Sequence, residues 1–309
     1  MTASLQTLRF NTQAQLDVAR ITRDLTDLQR QVASGYKSSD LSGYGAGVSR
    51  LLNTRGLVDL TDARANAASQ LSSRFGVQAA ALDQAAASSQ NLAQAIRDAI
   101  GNDNANALPT ELPVAFAGVV SAMNETWNGQ PLFAGERLSG NPVKINSMAE
   151  LMAASGPADI YDEAQRTQVV DFGPGAQIAL ADKASTLSQG VFDAMKALKN
   201  LIDSWGGNIP TSLSQSDRDQ LLTVAQSIDT ASNVFIGAEG NAGQLQQRIA
   251  NEQTRLQDRS TLLQKEISDQ ADADPAQLSI QINTLLVQYQ ATAKTFSDIS
   301  SLSLVNFLR

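Results

Sequence analysis

Near the start of the chain, apolar and small residues recur with the spacing of a coiled-coil seam. They fall alternately four and three residues apart, at Ala14, Val18, Ile21, Leu25, Leu28 and Val32. Polar residues fill the other positions, so we predict an amphipathic helix from about Ser4 to Ser34. Its apolar stripe requires a partner helix. We expect two ion pairs between residues four apart to support it: Arg20–Asp24 and Arg23–Asp27.

The last part of the chain carries a matching seam. Its members are again four and three residues apart, at Leu278, Ile282, Leu285, Tyr289, Thr292, Phe296 and Ile299, and Leu302 and Leu304 follow. Pro275 suits the first turn of this helix. We therefore predict that the two chain ends pair with each other and with copies of themselves. The predicted assembly interface consists of Val18, Ile21, Leu25, Leu28, Val32, Leu278, Ile282, Leu285, Tyr289, Phe296, Ile299, Leu302 and Leu304.

Between the seams, most of the chain has the character of long helices. Segments rich in Ala, Gln and Leu predict helices over Leu51–Ile100, Leu112–Trp127, Ala184–Trp205, Asp217–Phe235 and Leu245–Gln270. Residues 34–47, which are rich in Gly and Ser, break the helical pattern and are read as a loop.

The middle of the chain differs from the rest. Four of the eight prolines lie between residues 128 and 183, together with short runs that predict strands at Val143–Asn146, Gln168–Phe172 and Gln177–Leu180. We therefore predict a mainly α fold with a small β-containing insertion. The expected domains are a terminal coiled coil (1–40 and 272–309), a helical body (41–135 and 184–271) and a β-containing outer domain (136–183).

Charge and composition exclude several functions. The chain has 23 Lys and Arg against 31 Asp and Glu, a formal net charge of −8, which disfavours binding to nucleic acid or to an anionic membrane. Because it contains no His and no Cys, the commonest metal ligands, the usual general base and the thiol nucleophile are missing. No apolar run approaches the ~20 residues of a membrane span. The N-terminus has no ordinary secretory signal, so export would need another route.

Three motifs resemble chemical sites but have simpler interpretations. The glycines at 43, 45 and 47 follow a polar loop, whereas a phosphate-binding loop follows a strand. The aspartates at 269, 272 and 274 lack the spacing of a calcium loop and are read as a solvated helix end. Asp217 and Asp219 flank a predicted helix start, where they complement the helix dipole. We predict no catalytic, cofactor or metal site.

Two alternatives to an assembly protein remain open. Heptad seams occur more often in the core of a monomer than in a polymer interface, but their position at both chain ends favours pairing that is completed on assembly. An enzyme or a carbohydrate-binding surface protein would need a pocket in the middle insertion. The chain offers only scattered charged residues there: Asp162, Glu163, Arg166 and Asp171.

Three segments together carry a resemblance to a known family. They are Gln31-Val-Ala-Ser-Gly-Tyr-Lys-Ser-Ser-Asp40, Trp127-Asn-Gly-Gln-Pro-Leu-Phe-Ala-Gly135 and the C-terminal run from Tyr289 to Arg309. In combination they resemble the flagellin superfamily, and more closely its hook-associated proteins. Pro131 and the loop after Asp40 depart from the family pattern, and the terminal Arg309 is flagellin-like.

The resemblance implies a non-enzymatic structural subunit of the bacterial flagellum. It implies an adaptor at the hook–filament junction, with flagellin, the bulk filament subunit, as the alternative. The implied partners are copies of the same protein in a ring or filament, flagellin, another hook-associated protein on the hook side, and an export chaperone. The resemblance also implies type III export of the unfolded chain to the cell exterior, without a cofactor, nucleic acid or membrane as partner.

Overall fold

In the computed structural model, the backbone is described for residues 2–171, 177–206, 209–210 and 212–307, and side chains for 12–170, 178–206, 209–210 and 212–298. These residues form eight α-helices: α1 (Thr2–Ser34), α2 (Val48–Gly101), α3 (Leu108–Met123), α4 (Met148–Ala153), α5 (Pro157–Ile160), α6 (Ala184–Ser204), α7 (Gln215–Ala271) and α8 (Pro275–Phe307). They also form four short strands: β1 (Thr126–Trp127), β2 (Gln130–Pro131), β3 (Val169–Asp171) and β4 (Gln177–Ala179). The predicted mainly α fold with a small β-containing region is confirmed.

The chain divides into two compact units. Unit one comprises residues 1–64 and 255–309, and unit two comprises residues 65–254. The boundaries fall within α2 and α7, so each of these helices contributes to both units. Residues 136–183, the predicted outer domain, lie within unit two, and their standing as a separate domain stays a prediction.

Unit two is built around a helical core. The side chain of Phe192 on α6 lies at its centre, with ring centroids 5.7 Å from Phe116 and 6.2 Å from Tyr161. A second cluster includes Phe75 of α2, Leu180 after β4 and Ile249 of α7, and all three are buried. β3 and β4 lie within the predicted strand segments Gln168–Phe172 and Gln177–Leu180, and the structure pairs them antiparallel.

The helix α7 is one continuous element of 57 residues, where two helices ending near Phe235 and starting near Leu245 are predicted. The prediction of a break is wrong because the glycines at 237, 240 and 243 lie inside the helix. The buried side chains of Phe235, Ala242 and Ile249, seven residues apart, form one stripe across this segment. Packing of that stripe outweighs the unfavourable helix propensity of glycine.

Two further predictions need correction. The helix predicted to reach Trp127 ends at Met123, and Trp127 instead pairs with Gln130 in a two-residue hairpin. Asn128 and Gly129, with φ of 52° and 76°, form its turn, and positive φ at both positions is typical of tight hairpins. The strand predicted at residues 143–146 is a single bridge between Val143 and Tyr161.

The segment predicted as a loop between α1 and α2 contains a 3₁₀ helix. It runs from Leu41 to Gly47, and the carboxylate of Asp40 accepts a hydrogen bond of 3.1 Å from the backbone N–H of Gly43. The backbone bends at Gly45, where φ is +51°. Because no strand precedes these glycines, the structure has a capped connection here in place of a phosphate loop.

Candidate assembly interface

The helices at the two chain ends, α1 and α8, pack against each other in unit one. They are antiparallel, and their junction is fixed by a bridge between Tyr36 and Asp272. Two backbone hydrogen bonds form this bridge, from Lys37 N to Ala271 O at 2.8 Å and from Ala273 N to Gly35 O at 2.9 Å. The predicted pairing of the chain ends is therefore present in the structure.

Polar groups that follow α1 cap the end of α7. The Nζ atom of Lys37 donates hydrogen bonds to the carbonyl oxygens of Asp269 at 2.8 Å and Gln270 at 3.0 Å. The hydroxyl of Tyr44 donates to the carbonyl of Ala271 at 3.4 Å. Carbonyls in the last turn of a helix lack internal partners, and a cation there is favoured by the helix dipole. The cap therefore ties the segment after α1 to the segment before α8.

The three aspartates near Pro275 have structural roles where their contacts are described. Asp274 caps α8, because its Oδ1 accepts hydrogen bonds from the N–H of Ala276 at 2.9 Å and of Gln277 at 3.4 Å. The Asp272 carboxylate accepts from the Ser268 hydroxyl. Within the described ranges, no group of three or more acidic, His or Cys side chains is placed to hold a metal ion.

The predicted interface residues differ in how far the helix pair covers them. Ile21 and Leu278 are buried, together with Ala14 of the same seam. Six members are half-buried: Val18, Leu25, Leu28, Ile282, Leu285 and Phe296. Val32 and Tyr289 remain 55% and 42% exposed in the single chain. Ile299, Leu302 and Leu304 lie outside the residues whose side chains are described.

Unit one leaves much apolar surface uncovered. Of the eighteen large apolar side chains that are exposed in the described part of the chain, twelve belong to unit one, although unit two is longer. On α8, Ile280 and Val287 are 67% and 65% exposed and share one face, because they lie seven residues apart. Sequence analysis missed both because they lie outside the heptad seam. A large exposed apolar area on one unit is typical of a protein–protein interface.

The two paired helices differ in charge. No charged residue occurs in α8 from Pro275 to Ala293, whereas α1 carries several Arg and Asp residues. The observed ion pairs on α1 are Arg20–Asp17 at 3.2 Å and Arg30–Asp27 at 3.0 Å. The predicted pairs Arg20–Asp24 and Arg23–Asp27 are absent. Helical side chains lean toward the N-terminus of the helix, so each arginine reaches an aspartate three residues before it.

The predicted helix start near Asp217 is a reciprocal cap. The Asp217 carboxylate accepts a hydrogen bond from the Ser214 N–H at 3.1 Å, and the Ser214 hydroxyl accepts one from the Asp217 N–H at 3.1 Å. The indole N–H of Trp205 donates to the same carboxylate at 3.1 Å. Hydrogen bonds from Ser214 and Trp205 lower the pKa of Asp217. Asp219 accepts from the side chain of Gln215.

Two of the four charged residues named for the middle insertion form ion pairs within unit two. Asp162 pairs with Arg137, and Glu163 pairs with Lys183 at 3.3 Å. The side chain of Asp171 lies outside the described residues. Unit two has a pocket of about 460 Å³, and its described lining does not include Asp162, Glu163 or Arg166. The insertion therefore offers no convergent polar site among these candidates.

Over the described residues, none of the helices combines the length and the apolar character that crossing a bilayer requires.

Comparisons with known proteins identify the C-terminal region and the fold. The model of the bacterial flagellin C-terminal helical region matches residues 225–308, which include most of α7 and α8. Among curated proteins, no sequence is significantly similar.

Solved structures share the fold at low sequence identity. A protein assigned as a flagellar hook-associated protein from Vibrio parahaemolyticus matches with a TM-score of 0.60 and 15% identity, covering 74% of this chain and 100% of that one. Bacillus cereus FlgL matches at 0.54 and 12%, covering 69% and 96%. Xanthomonas campestris FlgL matches at 0.51 and 14%, covering 70% and 99%.

The region matched by the family model includes most of α8, one helix of the terminal pair. The C-terminal region of the chain is therefore similar to the flagellin C-terminal helical region, and the fold of the chain is similar to that of solved hook-associated proteins.

Proposed function

We propose that this protein is a structural subunit of the bacterial flagellum that acts as an adaptor at the hook–filament junction. The observation that carries the proposal is the pairing of α1 with α8, which brings together the two ends of the chain and leaves their outer faces apolar and uncovered. The protein acts by packing against its neighbours and performs no catalytic step.

The energetics of the helix pair fit this role. Six predicted interface residues are only half-buried within one chain, so contact with neighbours would bury further apolar area. Complete burial of an aliphatic side chain contributes roughly 1.5–3 kcal/mol. Ordering the backbone of one residue costs about 1–2 kcal/mol. Terminal helices of this kind are stabilised strongly by neighbouring subunits, because partners that bind the ordered form shift the folding equilibrium toward it.

An adaptor is favoured over a bulk flagellin by the solved structures, which are described as hook-associated proteins and FlgL. The flagellin C-terminal region supports the superfamily but does not separate these two functions. In our proposal the partners are copies of this chain, flagellin on one side and another hook-associated protein on the other. The chain is exported unfolded by the flagellar type III apparatus, with an export chaperone, and acts outside the cell.

Deletion of the gene tests the proposal. We expect the deletion strain to retain hooks, to lack attached filaments and to release flagellin monomers into the medium, since filament subunits would have no junction on which to assemble. Electron microscopy of the cell surface and immunoblotting of the medium measure this. Complementation with the intact gene is the control.

The same experiment separates the alternatives. Loss of filaments without flagellin in the medium would identify the protein as the filament subunit itself. Normal attached filaments in the deletion strain would contradict a role in the flagellar axis.

A further inference from the structure

A groove lies between α1 and α8 within unit one. Its volume is about 470 Å³, its α1 wall carries Asp24 and Asp27, and its α8 wall carries Ile280. Leu28 and Leu285 are half-buried and also line it. Asp27 pairs with Arg30, whereas Asp24 is exposed and forms no ion pair with any side chain in the described ranges. Uncharged polar side chains complete its lining: Gln31, Gln281, Thr284 and Gln288. The groove therefore combines apolar surface with an acidic edge and carries no basic residue in its lining.

A second exposed surface of unit one has the complementary character. It lies on the first part of α2 and consists of residues spaced three and four apart, which share one face: Arg50, Asn53, Leu57, Leu60 and Arg64. We call these five residues the α2 stripe. Its two leucines are 43% and 48% exposed. Within the part of the chain that is described, neither arginine has an ion-pair partner.

The stripe is distinct from the side of α2 that packs inside unit one. The buried positions of α2 in that unit are Leu51, Thr54, Val58 and Thr61. The stripe lies about 100° around the helix from them, at roughly 100° per residue. The acidic residues of this part of α2, at 59 and 62, lie on the opposite flank. The stripe therefore presents leucine and arginine without a competing carboxylate.

We propose that the α2 stripe of one copy of this chain docks in the α1–α8 groove of a second copy. In both surfaces a charged residue lies four residues from a leucine: Asp24 before Leu28, and Arg64 after Leu60. At about 1.5 Å per residue, both separations are close to 6 Å along the helix. Antiparallel docking of α2 on α1 then places Arg64 at Asp24 and Leu60 at Leu28.

The α8 wall accepts the rest of the stripe. Ile280 is largely exposed at the groove and offers apolar contact to the leucines. Because residues 275–293 carry no charge, this wall neither repels the arginines nor competes for them. Burial of the two leucines supplies most of the attraction, and the arginine–aspartate pair sets the register.

The groove is occupied by the stripe of a second copy, because the stripe and the groove are both open in a single chain. One chain therefore cannot have used its own stripe to fill its own groove. A contact between two different surfaces is heterologous, and its repetition produces a ring or a helix of subunits. The inference rests on the proposed function, since it names the contact through which the flagellar subunit assembles.

Charge reversal tests the contact. We expect Asp24→Arg and Arg64→Asp each to lower the amount of the chain in isolated flagella about tenfold or more, because like charges then face each other. The double variant carrying both changes restores a complementary pair, so we expect incorporation near the wild-type level. Arg55→Asp is the matched control: it makes the same charge change on an exposed part of α2 outside the stripe.

Circular dichroism shows whether a charge reversal disturbs folding. If it does, a cross-linking variant tests the same contact independently. The chain has no cysteine, so the variant carrying Leu28→Cys and Leu60→Cys has two thiols only. We expect oxidised flagella to yield covalent multimers of this variant on a denaturing gel. The variant carrying Leu28→Cys and Leu52→Cys, whose second position is exposed on another face of α2, should stay monomeric.

Several outcomes would overturn the contact. They are normal incorporation of both single variants, failure of the double variant to recover, and absence of multimers from the Leu28→Cys, Leu60→Cys variant. None of these outcomes bears on the proposed function, which the deletion strain tests separately. If the deletion strain keeps its filaments, the proposed function fails whatever the variants do.

Discussion

Asn124 shows how one side chain organises a connection in unit two. Its Oδ1 accepts a hydrogen bond from the Val143 N–H at 2.9 Å, and its Nδ2 donates to the Val143 carbonyl at 3.0 Å. The amide thus bonds to Val143 as a neighbouring strand would, although Val143 belongs to a single bridge. Nothing in the local sequence marks Asn124 for this role, since an asparagine after a helix is an ordinary ending.

Substitution of Asn124 tests this role. We expect Asn124→Ala to lower the free energy of unfolding by about 2–4 kcal/mol, because two buried backbone groups of Val143 lose their partners. Urea denaturation followed by circular dichroism measures the change. Asn102→Ala, at an exposed position, is the control and should change stability by less than about 0.5 kcal/mol. Equal effects of the two substitutions would contradict the role of Asn124.

Two aspartates make the free energy of unfolding depend on pH in the acid range. The pKa of Asp103 is lowered by hydrogen bonds from the Leu213 N–H and the Ser212 hydroxyl and by Arg218. The pKa of Asp217 is lowered by Ser214 and Trp205. A carboxyl whose pKa is lower in the folded state stabilises the fold above its unfolded pKa, about 3.9, and loses that contribution as pH falls through the folded value.

We therefore expect unfolding stability to vary little between pH 7 and 5 through these two groups, and to decrease below about pH 4. The double variant Asp103→Asn, Asp217→Asn should be less stable at neutral pH and should lose less stability on acidification. Urea titrations at a series of pH values, followed by tryptophan fluorescence, measure both. An acid dependence identical to that of the wild type would exclude these two carboxylates as its source.

At the scale of elements, two glycines inside helices differ in the space around them. A Cβ added at Gly240 of α7 meets nothing within 4 Å. At Gly118 of α3 it would lie 2.3 Å from the Ser88 hydroxyl oxygen and 2.9 Å from the Ser88 Cβ. Glycine inside a helix costs about 0.5–1 kcal/mol relative to alanine, so the first position is open to improvement and the second is held by close packing.

We expect Gly240→Ala to raise the free energy of unfolding by about 0.5–1 kcal/mol and Gly118→Ala to lower it by about 1–3 kcal/mol, the range for overpacking. Chemical denaturation of the two variants beside the wild type provides the comparison. A destabilised Gly240→Ala would mean that α7 does not continue as a regular helix through residues 237–243.

The same elements show why some boundaries were predictable and others were not. The helix α1 ends where predicted. Gly35 has a φ of +76°, and its N–H donates to the Gln31 carbonyl. Glycine is typical of such helix ends, so the local sequence was sufficient to predict this boundary. The continuity of α7 depends on packing of Phe235, Ala242 and Ile249 against residues distant in the chain. Local propensity gave no measure of that packing.

At the scale of the whole molecule, the two units should respond separately to damage in the terminal pair. We expect Leu285→Asp to abolish incorporation into flagella, because a charge at the half-buried face of α8 opposes its packing on α1. Amide hydrogen exchange should become faster in α1 and α8 and stay unchanged in the core of unit two around Phe192.

Asn283→Asp serves as the control for this substitution, since it adds the same charge at an exposed position of α8. Its exchange rates in α1 should match those of the wild type. Normal incorporation of the Leu285→Asp variant would contradict a terminal helix pair as the basis of assembly.

The periodicity of apolar residues was enough to predict the mainly α fold and the seams at both ends, because each depends on spacing within one helix. The pairing of the two seams was predictable as well, because an amphipathic helix needs a partner for its apolar stripe. Composition alone likewise showed that the chain has no His or Cys for catalysis or metal binding. The acidic groove and the α2 stripe could not be predicted in this way. The groove brings Asp24 and Ile280 together, and the stripe leaves Leu57 and Leu60 exposed, because of contacts between segments far apart in the chain. Exposure of a leucine is a property of what the folded chain leaves uncovered, and no local pattern encodes it.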